Sequence, residues 1–215
     1  MKLLYQTHSP YARKVLVAAY EMGLADHLDV VHHETSPLTR NDDIFALNPL
    51  GKVPVLICDN GEVLFDSCVI CEYLDGLHEG AKLLPADPAR RYRALRNQSI
   101  AMGIADAGIA VRWEIERRPE AVRWKPMHEG QLQKIVAACN FLEDHLEEQK
   151  ALDIGDVALA TALSWIEFRC VYAFQEARPR LSSWYARFCA RPSMQATTLY
   201  GNTVDTTPTI AVGSR

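Results

Sequence analysis

PVLICDNGEVLF, residues 54–65, holds two short apolar runs on either side of Asp59-Asn60-Gly61. An Asn-Gly pair between two apolar runs is the strongest short-range signal for a β-hairpin. The stretch therefore predicts two antiparallel strands, at residues 54–58 and 62–65. A helical pattern of apolar residues follows from about 66 to 77.

Upstream of the hairpin, signals for strands and helices alternate. Residues 2–6 predict a strand, residues 10–22 a helix, and residues 27–33 a second strand. A polar stretch over 35–48 has room for one short helix. The order is β-α-β, an irregular link, then β-β-α, in which the first crossover implies parallel strands and the hairpin adds an antiparallel edge. The sequence predicts a four-stranded α/β domain of thioredoxin-like architecture over residues 1–78.

The rest of the chain has helical patterns. Residues 79–88 contain two prolines and a glycine and predict a linker. An all-helical domain is predicted over residues 89–200, and residues 201–215 predict a mobile tail because they are Thr-rich and lack periodicity. Asp153 to Asp156 resembles a capping box that starts a buried helix. The predicted helices span 89–117, 127–148, 155–174 and 179–190.

Composition and charge argue against several classes of protein. The 215 residues include 23 basic and 27 acidic side chains, a formal net charge of -4. That balance gives no basic footprint for nucleic acid. The N-terminus lacks the apolar core of a signal peptide, and no run reaches the length of a membrane span. Six cysteines without an export signal predict reduced thiols and a cytoplasmic location.

Cys68-Val69-Ile70-Cys71 has the C-x-x-C spacing of a redox pair or of part of a metal site. A redox pair requires its first cysteine at a helix N-terminus, whereas Cys68 is predicted to lie inside a helix. Metal binding would need further ligands at suitable spacing, and the seven histidines are scattered. We therefore expect two buried helical cysteines and no metal site.

Three motifs lie in order on the α/β domain. They are Ser9-Pro10-Tyr11-Ala12-Arg13-Lys14-Val15, Asn48-Pro49-Leu50-Gly51-Lys52-Val53-Pro54 and Asp66-Ser67. Together with the helical second domain, they resemble the cytosolic glutathione S-transferases, most of all the small bacterial YibF-like branch, over about residues 1–195. The resemblance implies a cytoplasmic homodimer that acts in detoxification, with glutathione as co-substrate and no metal.

The resemblance implies that Asp66 and Ser67 bind the γ-glutamyl end of glutathione. Both stand where the fourth strand turns into a helix, and a helix N-terminus favours an anion. The γ-glutamyl carboxylate is then expected on Ser67 and the ammonium on Asp66. Alternatively, Asp66 is only the helix N-cap, and the two roles are compatible.

The resemblance also implies a cis peptide bond at Val53-Pro54. The turn would leave the N–H and C=O of Val53 available, so that the cysteinyl part of glutathione pairs with them like an added strand. Lys52 is then placed for the glycyl carboxylate, and Arg40 is a second candidate for that anion. A lone lysine is equally well explained as a solvated surface residue.

Ser9 stands where the related glutaredoxins have their first cysteine, and Ala12 where they have the second, which excludes a dithiol cycle there. Keeping a thiol of ordinary pKa about 8.5 mostly ionised at pH 7 requires its pKa to fall by roughly 2.5 units, which corresponds to about 3.4 kcal/mol. One hydroxyl bond to an anion supplies about 1.5–3 kcal/mol and a helix N-terminus roughly 0.3–1, up to about 2. On its own, the motif favours helix capping by Ser9, but the two downstream motifs reverse that preference. We predict that Ser9 donates a hydrogen bond to the glutathione thiolate and removes no proton. Thr7, His8 and Tyr11 are nearby substitutes, although a histidine before a helix is usually exposed.

The second substrate is expected between the two domains, over the thiol. Gly103 and Gly108 fall in the first predicted helix of the helical domain, where glycine lowers helix stability. They serve either close helix packing, which we favour, or room for a ligand. The candidate lining residues of the electrophile pocket are Tyr11, Asp106, Trp113, Trp165 and Arg169.

The predicted function is that of a glutathione transferase that conjugates glutathione to a small hydrophobic electrophile. One alternative is a glutathione-dependent reductase, isomerase or dehalogenase on the same scaffold; serine rather than cysteine at position 9 argues against thiol transfer. Another is a non-catalytic glutathione-binding or protein-interaction module. The presence of Pro54, Asp66 and Ser67 together favours a working glutathione site.

Overall fold

The structure is a computed structural model that describes residues 1–147 and 151–201. The chain forms two compact units. The thioredoxin-like unit comprises residues 1–81 and the described residues from Thr198 onward, and the helical unit comprises residues 82–197. Residues 198–200, predicted within the helical domain, thus belong to the first unit, where the Tyr200 N–H donates to the Thr7 carbonyl. The predicted tail, apart from Gly201, lies outside the described residues.

The thioredoxin-like unit contains one four-stranded sheet of order β2-β1-β3-β4. Strands β1 and β2 are parallel, while β3 is antiparallel to both β1 and β4. The predicted fold class is confirmed, with strands somewhat shorter than the sequence indicated. In chain order the elements are β1 Lys2–Tyr5, α1 Pro10–Glu21, β2 Asp29–His32, α2 Asp42–Leu47, β3 Val55–Ile57, β4 Val63–Leu64 and α3 Ser67–Asp75, with a short 3₁₀ turn at Ala25–His27.

The hairpin between β3 and β4 forms at the predicted Asn-Gly pair. Gly61 has φ +85, a left-handed conformation that glycine adopts without strain. The Cys58 N–H donates to the Glu62 carbonyl at 2.8 Å, and the Asn60 Oδ1 accepts from the Glu62 N–H at 3.0 Å. The hairpin fixes where β4 ends, and therefore where α3 begins.

The helical unit contains five helices and a 3₁₀ turn at Glu120–Val122 among its described residues. One prediction is wrong in extent: the helix expected over 155–174 ends at Phe168, because Cys170 has φ +51 and cannot continue a right-handed helix. The short helix α8 was not predicted. The helices are α4 Pro88–Glu116, α5 Lys125–His145, α6 Ile154–Phe168, α7 Pro179–Cys189 and α8 Pro192–Ala196.

Helix α6 begins at the predicted capping box. Oδ1 of Asp153 accepts from the backbone N–H groups of Gly155 and Asp156, at 2.9 and 3.2 Å. Oδ2 of Asp156 in turn accepts from the Asp153 N–H at 3.1 Å. The box satisfies backbone donors that have no partner within the helix, which confirms the prediction.

Glycines let α6 pack closely along α4 at two points. A Cβ atom at Gly155 would lie 2.8 Å from the Ala94 carbonyl oxygen, and one at Gly108 would lie 2.5 Å from Cδ1 of Ile166 and 2.9 Å from Cζ3 of Trp165. Both contacts advance along the two helices in the same direction, so α4 and α6 run parallel. The packing interpretation of Gly108 is confirmed. That of Gly103 is wrong, because outside its chain neighbours and the local helix backbone no described atom lies within 4 Å of a Cβ there.

No helix among residues 1–147 and 151–201 combines the length and the apolar character that crossing a membrane requires.

Candidate functional site

The strand register brings the three motifs to one edge of the sheet. Leu4 near the end of β1 pairs with Val55 at the start of β3, and Leu64 at the end of β4 pairs with Leu56. The chain therefore leaves β1 and β4 at the edge where it enters β3. The segments at that edge carry Ser9, Val53-Pro54 and Asp66-Ser67.

Ser9 is the N-cap of α1. Its Oγ accepts from the Ala12 N–H at 3.2 Å, its backbone is extended, and Pro10 occupies the first helical position. The capping role is thus present in the structure. It uses only a lone pair of the oxygen, and no side chain or carbonyl in the described part of the chain accepts the Ser9 O–H. A hydroxyl both accepts and donates, so this capping bond leaves the proton available for a ligand.

The neighbours of Ser9 differ in their surroundings. His8, expected to be exposed, is 6% exposed, so that expectation is wrong. Its Nε2 lies 3.8 Å from Oε2 of Glu34, which also accepts from Nε2 of Gln6 at 2.9 Å. The second carboxylate oxygen, Oε1, lies 2.8 Å from Nε2 of His32. Glu34 therefore holds the ends of β1 and β2 together beneath the motif, an arrangement the sequence reasoning missed.

The Val53–Pro54 peptide bond is cis, as the resemblance implied. Within residues 1–147 and 151–201, no group accepts a hydrogen bond from the Val53 N–H, and no group donates one to the Val53 C=O. Val53 itself is 6% exposed, with its side chain in the core cluster that contains Leu4 and Val55. A buried side chain with available backbone groups is the arrangement that strand addition by a peptide requires.

The side chain of Asn48 stabilises the loop that leads to the Val53–Pro54 turn. It is 2% exposed, its Nδ2 donates to the Lys52 carbonyl at 2.9 Å, and its Oδ1 accepts from the Leu50 N–H at 3.0 Å. Gly51 has φ +62, and a Cβ atom there would lie 2.2 Å from Cε2 of Phe45. Asn48 and Gly51 therefore fix the loop conformation, a positioning role that the sequence reasoning did not assign.

Lys52 and Arg40 differ in how their charges are used. The Lys52 side chain is exposed, and no acidic group in the described segments pairs with its ammonium. Nε of Arg40 lies 2.5 Å from Oδ1 of Asp42, and its guanidinium stacks 3.8 Å from the Phe45 ring centroid. Lys52 is thus the better placed of the two for a ligand anion.

Asp66 and Ser67 form the N-terminus of α3. Oδ1 of Asp66 accepts from the Cys68 N–H at 2.9 Å, so the capping role is present, and the residue is exposed. The Phe65–Asp66 peptide bond is also cis. Ser67 is fully buried, and its Oγ has no hydrogen-bond partner among the described residues. A buried hydroxyl without a partner costs about 1–3 kcal/mol, which a ligand oxygen would offset.

The C-x-x-C cysteines have different environments. Cys68 lies in α3 as expected, but in its first turn, and it is only half-buried, so the expectation that it is buried is wrong. Nζ of the fully buried Lys14 donates to its Sγ at 3.1 Å and joins α1 to α3. Cys71 is buried as expected, and burial raises its pKa to about 12. Among the described residues, no three His, Cys, Asp or Glu side chains group as a metal site would need.

The candidate electrophile residues are divided between the units. Tyr11 lies in the first turn of α1, in the thioredoxin-like unit. In the helical unit, Asp106 is exposed on α4, and Trp165 is 2% exposed and packs against Gly108. Trp113 is half-buried on α4 under the Arg117 guanidinium, and Arg169 is the half-buried C-cap of α6.

Two family descriptions match the chain in order. The one for "Glutathione S-transferase, N-terminal domain" matches residues 8–77, and the one for "Glutathione S-transferase, C-terminal domain" matches residues 104–187. Among curated proteins, the chain is 31% identical over 175 residues to the uncharacterized GST-like protein YibF of Escherichia coli K12. That match covers 80% of this chain and 84% of YibF.

Solved structures give the same result for the fold. The chain is similar to a glutathione transferase family member from Pseudomonas fluorescens Pf-5 with bound glutathione, at 35% identity and a TM-score of 0.86, covering 93% of this chain and 99% of that chain. A second structure from the same source contains S-(propanoic acid)-glutathione, with 36% identity, a TM-score of 0.85, and coverage of 94% and 100%.

Proposed function

Because the chain belongs to the glutathione S-transferase family, we propose that it is a glutathione transferase. Ser9 stabilises the glutathione thiolate by donating a hydrogen bond, and the thiolate then adds to a small hydrophobic electrophile. No residue has to remove the thiol proton in the transition state, because lowering the pKa of the thiol is enough to ionise it near neutral pH.

The hydrogen bonding of Ser9 is the observation that carries the proposal. Its Oγ accepts from the Ala12 N–H, which orients the hydroxyl at the N-terminus of a twelve-residue helix. The O–H is then available to donate to an anion, and the helix dipole adds to the stabilisation of negative charge at the same point. Capping and thiolate stabilisation are therefore two uses of one hydroxyl.

The other motifs supply a partner for each remaining part of glutathione. Asp66 pairs with the γ-glutamyl ammonium, and the buried Oγ of Ser67 donates to the γ-glutamyl carboxylate. The backbone of Val53, next to cis-Pro54, pairs with the cysteinyl residue. Lys52 attracts the glycyl carboxylate, and Arg40, already paired with Asp42, contributes less.

Similar proteins support the proposal that the ligand is glutathione. The similar protein from Pseudomonas fluorescens Pf-5 binds glutathione, and it also binds a glutathione with a propanoic acid group on its sulfur. Each match covers more than nine-tenths of this chain. The second ligand supports a site that accommodates a group attached to the sulfur, as a conjugation product requires.

The family supports three further parts of the proposal. The protein acts in the cytoplasm, forms a homodimer, and serves in detoxification. Sedimentation velocity tests the dimer: a single species at twice the chain mass is expected, and a monomer at micromolar concentration overturns it.

Calorimetric titration with glutathione, followed by a conjugation assay with 1-chloro-2,4-dinitrobenzene, tests the function. Binding together with turnover above the uncatalysed rate is the expected result. Binding without turnover would favour a non-catalytic module, and reduction of a mixed disulfide without conjugation would favour a reductase. Absence of glutathione binding would overturn the site as a whole.

The variant Asp66→Asn separates capping from ligand binding. Asparagine caps a helix as well as aspartate does, so the melting temperature should hardly change. Losing a charged partner of the ammonium costs about 1.5–3 kcal/mol, so the glutathione affinity should fall by at least about tenfold. Equal affinities for the variant and the wild type would leave Asp66 as a cap only.

A further inference from the structure

Two separate segments of the thioredoxin-like unit have to bind one small residue, the cysteinyl residue of glutathione. In the proposed complex its thiolate meets the Ser9 hydroxyl, and its backbone pairs with that of Val53. A hydrogen bond weakens when its distance or angle departs from the optimum, and a binding geometry has to be held to within about 0.5 Å. The separation between these two halves of the cysteinyl site therefore has to be fixed by the protein.

Gln6 lies at the centre of a connection between the two halves. It directly follows β1, the strand that pairs with β2 on one side and with β3 on the other. Its buried side chain donates from Nε2 to Oε2 of Glu34 at 2.9 Å and to the Thr35 carbonyl at 3.0 Å. Both partners are acceptors, so the NH₂ group rather than the amide oxygen has to face them. The Gln6 carbonyl in turn accepts from the Ser9 N–H at 3.1 Å, which ties the Ser9 turn to the end of β2.

Thr35 extends the connection to the loop before the cis peptide bond. Its side chain is buried, and its Oγ1 donates to the Gly51 carbonyl at 2.9 Å. Gly51 precedes Val53 by only two residues. A continuous series of buried hydrogen bonds thus runs from the Ser9 N–H through Gln6 and Thr35 to the loop that carries Val53.

We propose that Gln6 and Thr35 are positioning residues, which set the two halves of the cysteinyl site at the separation that glutathione requires. This assignment rests on the proposed function. Neither side chain has to touch glutathione, because each acts through the segments it holds. If the connection is broken, the backbone of glutathione can still pair with Val53, but the thiolate no longer meets the Ser9 hydroxyl at the best distance and angle.

Thr35→Val removes the donor to Gly51 and keeps the branched shape of the side chain. The thiolate absorbance of bound glutathione, titrated against pH, then reports on the Ser9 bond. The pKa of the bound thiol should rise by roughly 0.5 to 1, about half the effect of losing the Ser9 hydroxyl itself, and kcat/KM below that pKa should fall about three- to tenfold. The affinity for S-methylglutathione, which has no thiolate, should stay within about twofold of the wild-type value. Thr35→Ser retains the O–H and should retain the wild-type pKa.

Thr161→Val is the matched control. The Thr161 hydroxyl is also buried and also donates to a backbone carbonyl, that of Val157 at 2.9 Å, but it lies within α6 of the helical unit. This variant should lose some stability in urea and keep the wild-type pKa of bound glutathione. A shift of the pKa in Thr35→Val but not in Thr161→Val therefore reports positioning of the thiolate rather than a general loss of stability.

Gln6→Met tests the other end of the connection and should raise the pKa of the bound thiol in the same way. Because both residues act on one connection, the double variant should shift the pKa no further than the more affected single variant does. If one substitution prevents folding, the other decides. A wild-type pKa in the folded variants would overturn the inference and leave the proposed function intact. A wild-type complex whose thiol titrates near the ordinary value of about 8.5 would instead refute the proposed function, and this inference with it.

Discussion

Replacing Ser9 by alanine removes one interaction that the structure shows and one that we propose, both made by the same hydroxyl. The acceptor of the Ala12 N–H is lost, and so is the O–H proposed to bind the thiolate. These losses affect different quantities. The first lowers the stability of the protein, and the second raises the pKa of bound glutathione.

The magnitudes follow from the two bonds. Loss of an N-cap acceptor costs about 0.5–2 kcal/mol of stability. Loss of a hydroxyl bond to an anion costs about 1.5–3 kcal/mol, which raises the pKa of the bound thiol by about 1 to 2 at 1.36 kcal/mol per pKa unit. Below the wild-type pKa, the rate of conjugation should therefore fall roughly 10- to 100-fold. The difference between the rates of the wild type and Ser9→Ala should narrow as the pH rises past the pKa of the thiol in the variant, because glutathione is then ionised in both proteins.

The assay is the pH dependence of kcat/KM for 1-chloro-2,4-dinitrobenzene, with urea unfolding measured alongside. Ser9→Gly lacks the hydroxyl but caps a helix almost as well, so it should share the shift of the pH profile and keep most of the stability. Ser9→Thr retains both functions and should resemble the wild type. If Ser9→Ala and Ser9→Gly follow the wild-type profile, Ser9 is a cap and the mechanism is refuted.

Three further variants test the structure around the site. Gly51→Ala should destabilise the protein by roughly 1–2 kcal/mol or more in urea, because φ +62 disfavours alanine and its Cβ would meet Phe45; an unchanged midpoint contradicts this. Asn48→Ala should cost about 1–3 kcal/mol and weaken glutathione binding, because the Lys52 carbonyl loses its donor; unaltered affinity would remove the positioning role. Burial raises the pKa of Cys71 to about 12 in the folded protein, whereas in the unfolded chain the thiol ionises from about pH 9. Ionisation therefore favours the unfolded chain, and the free energy of unfolding should fall as the pH rises from about 9 to about 12. Between pH 8 and pH 10, the free energy of unfolding should fall less for Cys71→Ala than for the wild type. An identical fall in both proteins would contradict the raised pKa of Cys71.

Short-range signals allowed much of the fold to be predicted. The Asn60-Gly61 pair and the Asp153 capping box each depend on a few neighbouring residues, and both formed where the sequence indicated. The end of α6 depends on other interactions. Residues 169–174 continue the apolar pattern, and nothing in them predicts that Cys170 adopts a left-handed conformation that non-glycine residues rarely take.

In the site, too, local motifs could be predicted from the sequence, whereas contacts between distant residues could not. Its three motifs are contiguous in sequence, so they could be recognised, and the cis bond at Pro54 followed from the family resemblance. The contact between Lys14 and Cys68 joins residues 54 positions apart, and Gly108 meets Trp165 only through the parallel packing of two helices. Such pairings depend on the register between elements, which composition and local spacing do not contain.

Ultraviolet titration of the thiolate in the complex of the wild-type protein with glutathione tests the central claim most directly. A hydroxyl donor and a helix N-terminus together should lower the pKa of the thiol from about 8.5 to about 6–7. The thiolate absorbance should then be largely developed by pH 7.5. An inflection that remains near 8.5 in a saturated complex would show that the protein binds glutathione without activating it, and would contradict the account.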